Sequence, residues 1–240
     1  MRLLIDSGNT RVKYVVSNQG QWLETGEVEE LNTLEKELLD KYPALQQLIY
    51  SDVRGEHTPK KWQAYFPNFN VHALKSLRFP FESNYTTPST LGDDRLALVA
   101  AAVKKYPKQN CLIIDAGSCL TFDLLTARGV YLGGAISPGI QMRFKALHTF
   151  TGKLPLCTPK EKNNAVGTST QESIATGVMN GVIYEIEGQI NALSQKYTSL
   201  TVILTGGDAL HLSKTVKNTI FAEPNFLAEG LDYILEYNKY

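Results

Sequence analysis

Leu3 to Val16 reads LLIDSGNTRVKYVV, and Leu112 to Leu125 reads LIIDAGSCLTFDLL. Laid together without gaps, Asp6 falls on Asp115 and Gly8 on Gly117. In each, three aliphatic residues precede the Asp and a β-favouring segment follows the turn, so both read as strand-turn-strand hairpins. Asp and Gly end strands for purely local reasons, and one copy alone would carry little weight. Turn chemistry does not demand the flanking resemblance, however. Two copies in register, one in each half, predict two related α/β domains, and the turn Pro107 to Asn110 is the expected boundary, giving domains over 1–110 and 111–240.

The segments around the hairpins fit this division. Leu31, Leu34 and Leu38 recur at helical spacing with charges between them. Leu48 to Val53 reads as a strand. Leu91 to Lys105 opens on a Gly-Asp-Asp turn and continues as an Ala-rich helix that Pro107 ends. In the second half Thr170 to Leu193 is expected to be helical, with Ile174, Val178, Val182 and Ile186 at steps of four. That stripe suits either a core or an interface. Gly177, Gly181 and Gly188 in the same helix lower its propensity and leave room for close packing or a ligand. Leu200 to Leu204 reads as a short buried strand and Ala228 to Tyr237 as a closing helix.

Composition narrows the function classes. Of 240 residues, 43% are hydrophobic and 20% charged, as in ordinary globular proteins. The 24 Lys and Arg cancel the 24 Asp and Glu, so no overall field recruits nucleic acid or an anionic membrane. An anionic ligand must be held by local geometry instead. The N-terminal Met-Arg-Leu-Leu-Ile-Asp is too short for a signal-peptide core, and no apolar run approaches the roughly 20 residues of a membrane span. Cys111, Cys119 and Cys157 form no Cys-x-x-Cys pair, and reduced thiols in a cytoplasm are expected. His57, His72, His148 and His211 lie far apart and show no zinc-ligand spacing.

Several turns could carry chemistry. Gly8-Asn9-Thr10 and Gly117-Ser118 each offer backbone N–H groups beside hydroxyl or amide side chains, the material of a phosphate-binding nest. The Asp before each turn would repel a phosphate unless a metal ion or its waters stood between them. Lys13 could add a point charge, though it also reads as an exposed strand lysine. Gly92-Asp93-Asp94-Arg95 opens the Ala-rich helix, and an Asp there can simply satisfy the free N–H groups of the first turn. The sharper reading has Asp94 orienting a substrate hydroxyl and Arg95 gripping an anionic group with its planar fork. Gly133-Gly134-Ala-Ile-Ser-Pro138-Gly139 implies tight backbone geometry. Gly167-Thr-Ser-Thr170 precedes a helix, where Ser169 or Thr170 could be the N-cap, and Thr205-Gly206-Gly207-Asp208 ends a strand.

Taken in order, these turns with Tyr85 form a pattern that resembles the type III pantothenate kinases from residue 6 to the end of the chain. The resemblance implies the duplicated ribonuclease H-like fold of the actin, hexokinase and Hsp70 superfamily, with mixed sheets flanked by helices and ATP between the halves. It implies that Asp6, Ser7, Gly8, Asn9, Thr10, Arg11, Val12 and Lys13 form the first phosphate loop and that Ser118 touches ATP from the second. Asp115 would bind the monovalent cation, potassium or ammonium. Tyr85, Gly92, Asp93, Asp94, Arg95 and Thr170 would line the pantothenate pocket, with Asp94 as catalytic base. The implied reaction turns ATP and pantothenate into 4′-phosphopantothenate with magnesium or another divalent cation, in a cytoplasmic homodimer that engages neither nucleic acid nor membrane.

Two positions depart from that family's pattern. Ser118-Cys119 stands where Thr-Ala is usual, and Asp93 where Ala is common. Serine keeps the hydroxyl, and Asp93 reads as a helix cap facing away from the substrate. A non-catalytic transcription accessory protein of the same fold, or a kinase for another hydroxylated acceptor such as a sugar, is the competing reading.

Overall fold

The computed structural model describes residues 1–9, 11–29, 31, 33–55, 58–159, 164–216 and 221–239. They form two compact units. The first comprises Met1–Pro107, Gly129–Tyr131 and Asn225–Tyr240, and the second Lys108–Arg128 and Leu132–Pro224.

In the first unit, strand β1 (Arg2–Ser7) pairs antiparallel with β2 (Val12–Asn18), and β2 with β3 (Gln21–Val28). On its other side β1 runs parallel with β4 (Gln47–Asp52), and β4 with β5 (Asn70–Ala73), which gives the order β3-β2-β1-β4-β5. Helix α1 (Leu34–Lys41) buries Leu34 and Leu38, and Leu31 joins the same core, as the spacing of the three leucines predicts. Helix α2 (Pro59–Tyr65) starts with a Thr58 cap and a proline in its first turn, and its Trp62 stacks on Tyr50 at 4.4 Å. The short strand β6 (Glu82–Ser83) pairs in parallel with Val130 and Tyr131.

The Ala-rich helix α3 (Asp93–Lys105) buries Ala97 and Ala100 to Ala102 completely. Its small side chains admit a second helix at close range. Residues Phe226–Tyr237 form that helix (α7), and a methyl group at Gly230 would overlap the Ala97 carbonyl. Asp232 of the same helix holds a buried ion pair with Arg2 of β1. The closing helix therefore packs in the first unit rather than with residues 111–224, because the complementary face and the buried arginine are both there.

The second unit repeats the first. Strand β7 (Cys111–Ala116) pairs antiparallel with β8 (Cys119–Leu125), followed by β9 (Val130–Pro138). On the other side come β10 (Thr201–Thr205) and β11 (Phe221–Ala222), both parallel, so the order β9-β8-β7-β10-β11 matches that of the first sheet. Helices α4 (Ile140–Thr149), α5 (Thr170–Ser194) and the short α6 (Ala209–Leu212) complete the set. Ile174, Val178, Val182 and Ile186 of α5 pack against Leu112, Ile114 and Phe122, so the stripe is core. Gly177, Gly181 and Gly188 face open space, not a neighbouring element.

The two hairpins differ in one respect. Ser7 pairs with Val12, leaving residues 8–11 in the first turn, while Ala116 pairs with Leu120, leaving 117–119 in the second. The second turn is one residue tighter, so the gapless match holds only up to the glycine. The residue opposite Asp6 is Lys13, and the residue opposite Asp115 is Thr121. Among the described residues no helix is long and apolar enough to cross a membrane.

Candidate active site

In the first unit Asp6 lies near the end of β1, between Lys13 on β2 and Ser51 on β4. Its Oδ1 and the Ser51 hydroxyl oxygen are buried without a hydrogen bond. Burial first, and the Asp94 carboxylate second, push the Asp6 pKa up to about 6, with Lys13 opposing the rise. The fold thus brings together two carboxylates that are 88 positions apart. The Asp94 side chain folds back at the start of α3, where its Oδ1 accepts the Arg95 N–H at 2.8 Å. A Cβ on Gly92 would overlap that oxygen, so the glycine leaves Asp94 its space.

Asp93 behaves differently from the expected cap. The N-cap of α3 is Gly92, and the first-turn N–H of Arg95 is bonded by Asp94, not Asp93. The Asp93 carboxylate instead pairs with Lys75 Nζ at 3.4 Å and accepts the Asp52 N–H at 3.5 Å. Burial raises its pKa, and Lys75 opposes the rise. Lys75 also donates to the Ser89 carbonyl, which ties the approach to α3 together. Nothing local marks Lys75, and sequence reading missed it.

Arg95 is 4% exposed, and its guanidinium lies over the Tyr85 ring at 5.6 Å. Tyr85 in turn stacks on Tyr131 at 6.1 Å. Tyr85 and Arg95, both expected at the pantothenate pocket, are thus in contact with each other. In the first turn Gly8 donates its N–H to the Arg11 carbonyl at 3.1 Å, and Arg54 Nε donates to the Gly8 carbonyl at 2.9 Å. The Gly8 amide thus closes the turn. Arg11 pairs with Glu27, Asn9 and Lys13 are exposed, Ser7 is buried, and the Val12 side chain belongs to the core. Thr10 lies outside the described residues.

In the second unit three segments converge on the turn after Asp115. Gly117 donates its N–H to the Cys119 carbonyl at 2.9 Å. Gly139 donates to the Ser118 carbonyl at 3.2 Å, and a methyl on Gly139 would overlap the carbonyls of both Gly117 and Ser118. Gly206 has a left-handed φ of 92°, and a methyl there would overlap Asp115 Oδ1 and the Ala116 carbonyl. Asp208 donates its N–H to that same carbonyl at 3.0 Å. Gly139 and Gly206 are thus required by close backbone approach, whereas Gly207 faces open space.

Thr170 is the first residue of α5 and is exposed. The cap is Ser169, whose hydroxyl accepts the Glu172 N–H, while Glu172 reaches back to the N–H and hydroxyl of Thr168. Thr170 opens on a groove of about 1160 Å³ walled by Met142, Leu147, Phe150, Leu154, Ile174 and Val178.

The sequence model of the type III pantothenate kinases matches residues 2–192. The chain is 47% identical over 242 residues to the type III pantothenate kinase of Christiangramia forsetii, covering 100% of this chain and 99% of that one. The chain belongs to the type III pantothenate kinase family. A protein from Campylobacter jejuni described as a Baf family transcriptional activator shares the fold at a TM-score of 0.66, with 21% identity over 98% of each chain. A protein from Sinorhizobium meliloti described as a 2-dehydro-3-deoxygalactonokinase aligns at a TM-score of 0.60, with 13% identity over 99% of this chain and 98% of that one. At these identities the likeness speaks for the fold alone, an α/β fold whose strand order recurs in both units.

For a type III pantothenate kinase, two features of this chain stand out. Asp93 has a partner of its own in Lys75, so the carboxylate next to Asp94 in sequence carries its own counter-charge. Ser118 contributes its backbone to the contact with Gly139, a role that a serine or a threonine fills equally.

Proposed function

We propose that this protein transfers the γ-phosphoryl group of ATP to the primary hydroxyl of pantothenate, giving 4′-phosphopantothenate on the route to coenzyme A. The observation that carries the reading is the convergence of Asp94 with Asp6 in a chain of this family. Phosphoryl transfer passes through a loose transition state, so positioning and charge neutralisation outweigh base strength. Asp94, carried on a rigid helix, aligns the acceptor hydroxyl and takes its proton late. Arg95, already desolvated against Tyr85, holds the pantothenate carboxylate, and Thr170 borders the same substrate.

Asp6 to Lys13 and Ser118 would hold the nucleotide phosphates, mainly through backbone groups and the Lys13 ammonium. Asp6 Oδ1, buried and without a hydrogen bond, suits a magnesium ion or one of its waters. Asp115, beside the Ala116 carbonyl, offers oxygen ligands suited to potassium or ammonium. When bound, such cations neutralise charge on the phosphates. Exposed apolar side chains on the second unit, among them Ile136, Met142, Phe150 and Tyr184, support a homodimer. A cytoplasmic setting agrees with the ATP requirement and with three cysteines that form no disulfide.

The test is phosphorylation of pantothenate by purified protein with ATP, magnesium and potassium, with the product identified by mass. Absence of turnover across varied cations, or a sugar phosphorylated in preference, would overturn the reading.

A further inference from the structure

We propose that Arg143, paired with Glu185, is a positioning residue for the second phosphate loop, holding Gly117 and Ser118 in place through the corner at Pro138 and Gly139. The proposal rests on the reading of Ser118 as an ATP contact. Arg143 stands one turn into α4, and its guanidinium reaches back to the helix start. Its Nε donates to the Pro138 carbonyl at 2.8 Å, and its Nη2 donates to the Ser137 hydroxyl at 3.0 Å and pairs with Glu185 of α5. The Arg143 side chain is 22% exposed and that of Glu185 26%, so the pair is largely shielded from water. Charge-assisted bonds of this kind are about twice as strong as neutral ones. One planar fork thereby joins the end of β9 to α5, a task for which a lysine point charge is poorly shaped.

What this corner controls is decided by its next residue. Gly139 bonds the Ser118 carbonyl at 3.2 Å, and a methyl on it would come within 2.5 Å of the Ser118 oxygen. The loop backbone therefore rests on Gly139, and Gly139 is held from two directions by Arg143. The Arg143 amide donates to the Gly139 carbonyl at 3.0 Å, while its side chain fixes Pro138 just before. The first unit has a more direct counterpart, since Arg54 bonds the carbonyl of Gly8 in the first loop. Misplacing a positioning group by about 1 Å can cost on the order of a hundredfold in rate. The pairing spans 42 positions of sequence, and no motif announces it.

Full-length Arg143→Met, Arg143→Lys and Glu185→Gln are compared with wild type by three measurements. These are amide hydrogen exchange at Gly117 and Gly139, calorimetric affinity for a non-hydrolysable ATP analogue with magnesium, and steady-state kinetics. In Arg143→Met, exchange at both amides is expected to rise at least tenfold while that of β10 stays unchanged. The analogue should bind at least tenfold more weakly, and KM for pantothenate should move less than threefold. Arg143→Lys and Glu185→Gln should fall between wild type and Arg143→Met on each readout. Unchanged exchange at Gly117 and Gly139, a rise shared by the whole unit, or unchanged affinity for the analogue overturns the proposal. Should wild type neither bind the analogue nor phosphorylate pantothenate, the reading of the site falls, and the exchange data alone still decide whether Arg143 braces the loop.

Discussion

The Asp94 carboxylate, reaching back from the first turn of α3, stands close enough to Asp6 on β1 to disfavour its ionisation, and burial adds the larger share of the effect. The two residues thus form an electrostatically unfavourable pair in the protein alone, one that a cation between them would relieve.

The first expectation concerns stability. The Asp6 pKa is raised from 3.8 to about 6. The folded state therefore holds this proton more tightly than the unfolded chain, and the associated stability is present below pH 4 and lost as pH rises through 6. Across that window the loss is about 3 kcal/mol. Asp6→Asn should raise the melting temperature of the ligand-free protein at pH 7.5 by at least about 3 °C and give little or no gain at pH 4. The same variant should lose phosphoryl transfer. A melting temperature at pH 7.5 that stays level or drops would contradict this account.

Asp94→Asn removes both the proposed base and the charge that disfavours Asp6. We expect kcat to fall by about 10²–10³-fold, with KM for ATP changing far less. The Asp6 pKa, followed by NMR, should drop below 6 in this variant. A value that stays at 6 would mean that the two carboxylates are not coupled.

Gly92→Ala places a methyl group against Asp94 Oδ1. The backbone at Gly92 has ordinary negative φ, so the helix itself tolerates alanine at a cost of under about 1 kcal/mol. Activity should nevertheless fall at least tenfold because Asp94 must swing aside. A variant with wild-type kcat would show that the folded-back Asp94 conformation is not required.

Asp93 tests the division of labour between adjacent carboxylates. Because it pairs with Lys75 and the Asp52 amide, Asp93→Ala should destabilise the protein by about 1–2 kcal/mol while leaving KM for pantothenate within threefold. Chemical denaturation and steady-state kinetics separate the two effects. A tenfold rise in KM with unchanged stability would put Asp93 in the substrate pocket instead.

Asp232→Ala leaves Arg2 buried without its counter-charge, and the expected cost is about 3–5 kcal/mol in unfolding free energy. Replacing both residues by Met and Leu should recover most of that loss, since a buried pair is often no better than an apolar one. Failure of the double variant to recover stability would assign the pair a net favourable role.

Much of this architecture could be read from residue order because its signals are local. The aliphatic runs before Asp6 and Asp115, the leucine spacing of α1, the Ala-rich α3 and the i+4 stripe of α5 each record a period that a neighbouring surface must match. The candidate site was legible where a motif is contiguous, as in Gly92 to Arg95. What could not be read depends on partners distant in sequence. Lys75 meets Asp93 across 18 positions, Arg143 meets Glu185 across 42, and Arg2 meets Asp232 across 230. The tighter second turn is not legible either, because a turn residue added or removed leaves no trace in the alternation on either side. Val12 stands in the phosphate-loop motif, and strand alternation turns its side chain into the core.

The position of the closing helix has a consequence for the order in which the protein is made. Asn225–Tyr240 belong with Met1–Pro107, so the first residues to leave the ribosome lack the helix that covers the Ala97 face of α3. They must wait for it. The second unit, Lys108–Arg128 with Leu132–Pro224, has its own sheet and helices before that helix is made. Completion of the first unit therefore waits on Phe226–Tyr237, which follow residues 132–224 in the chain.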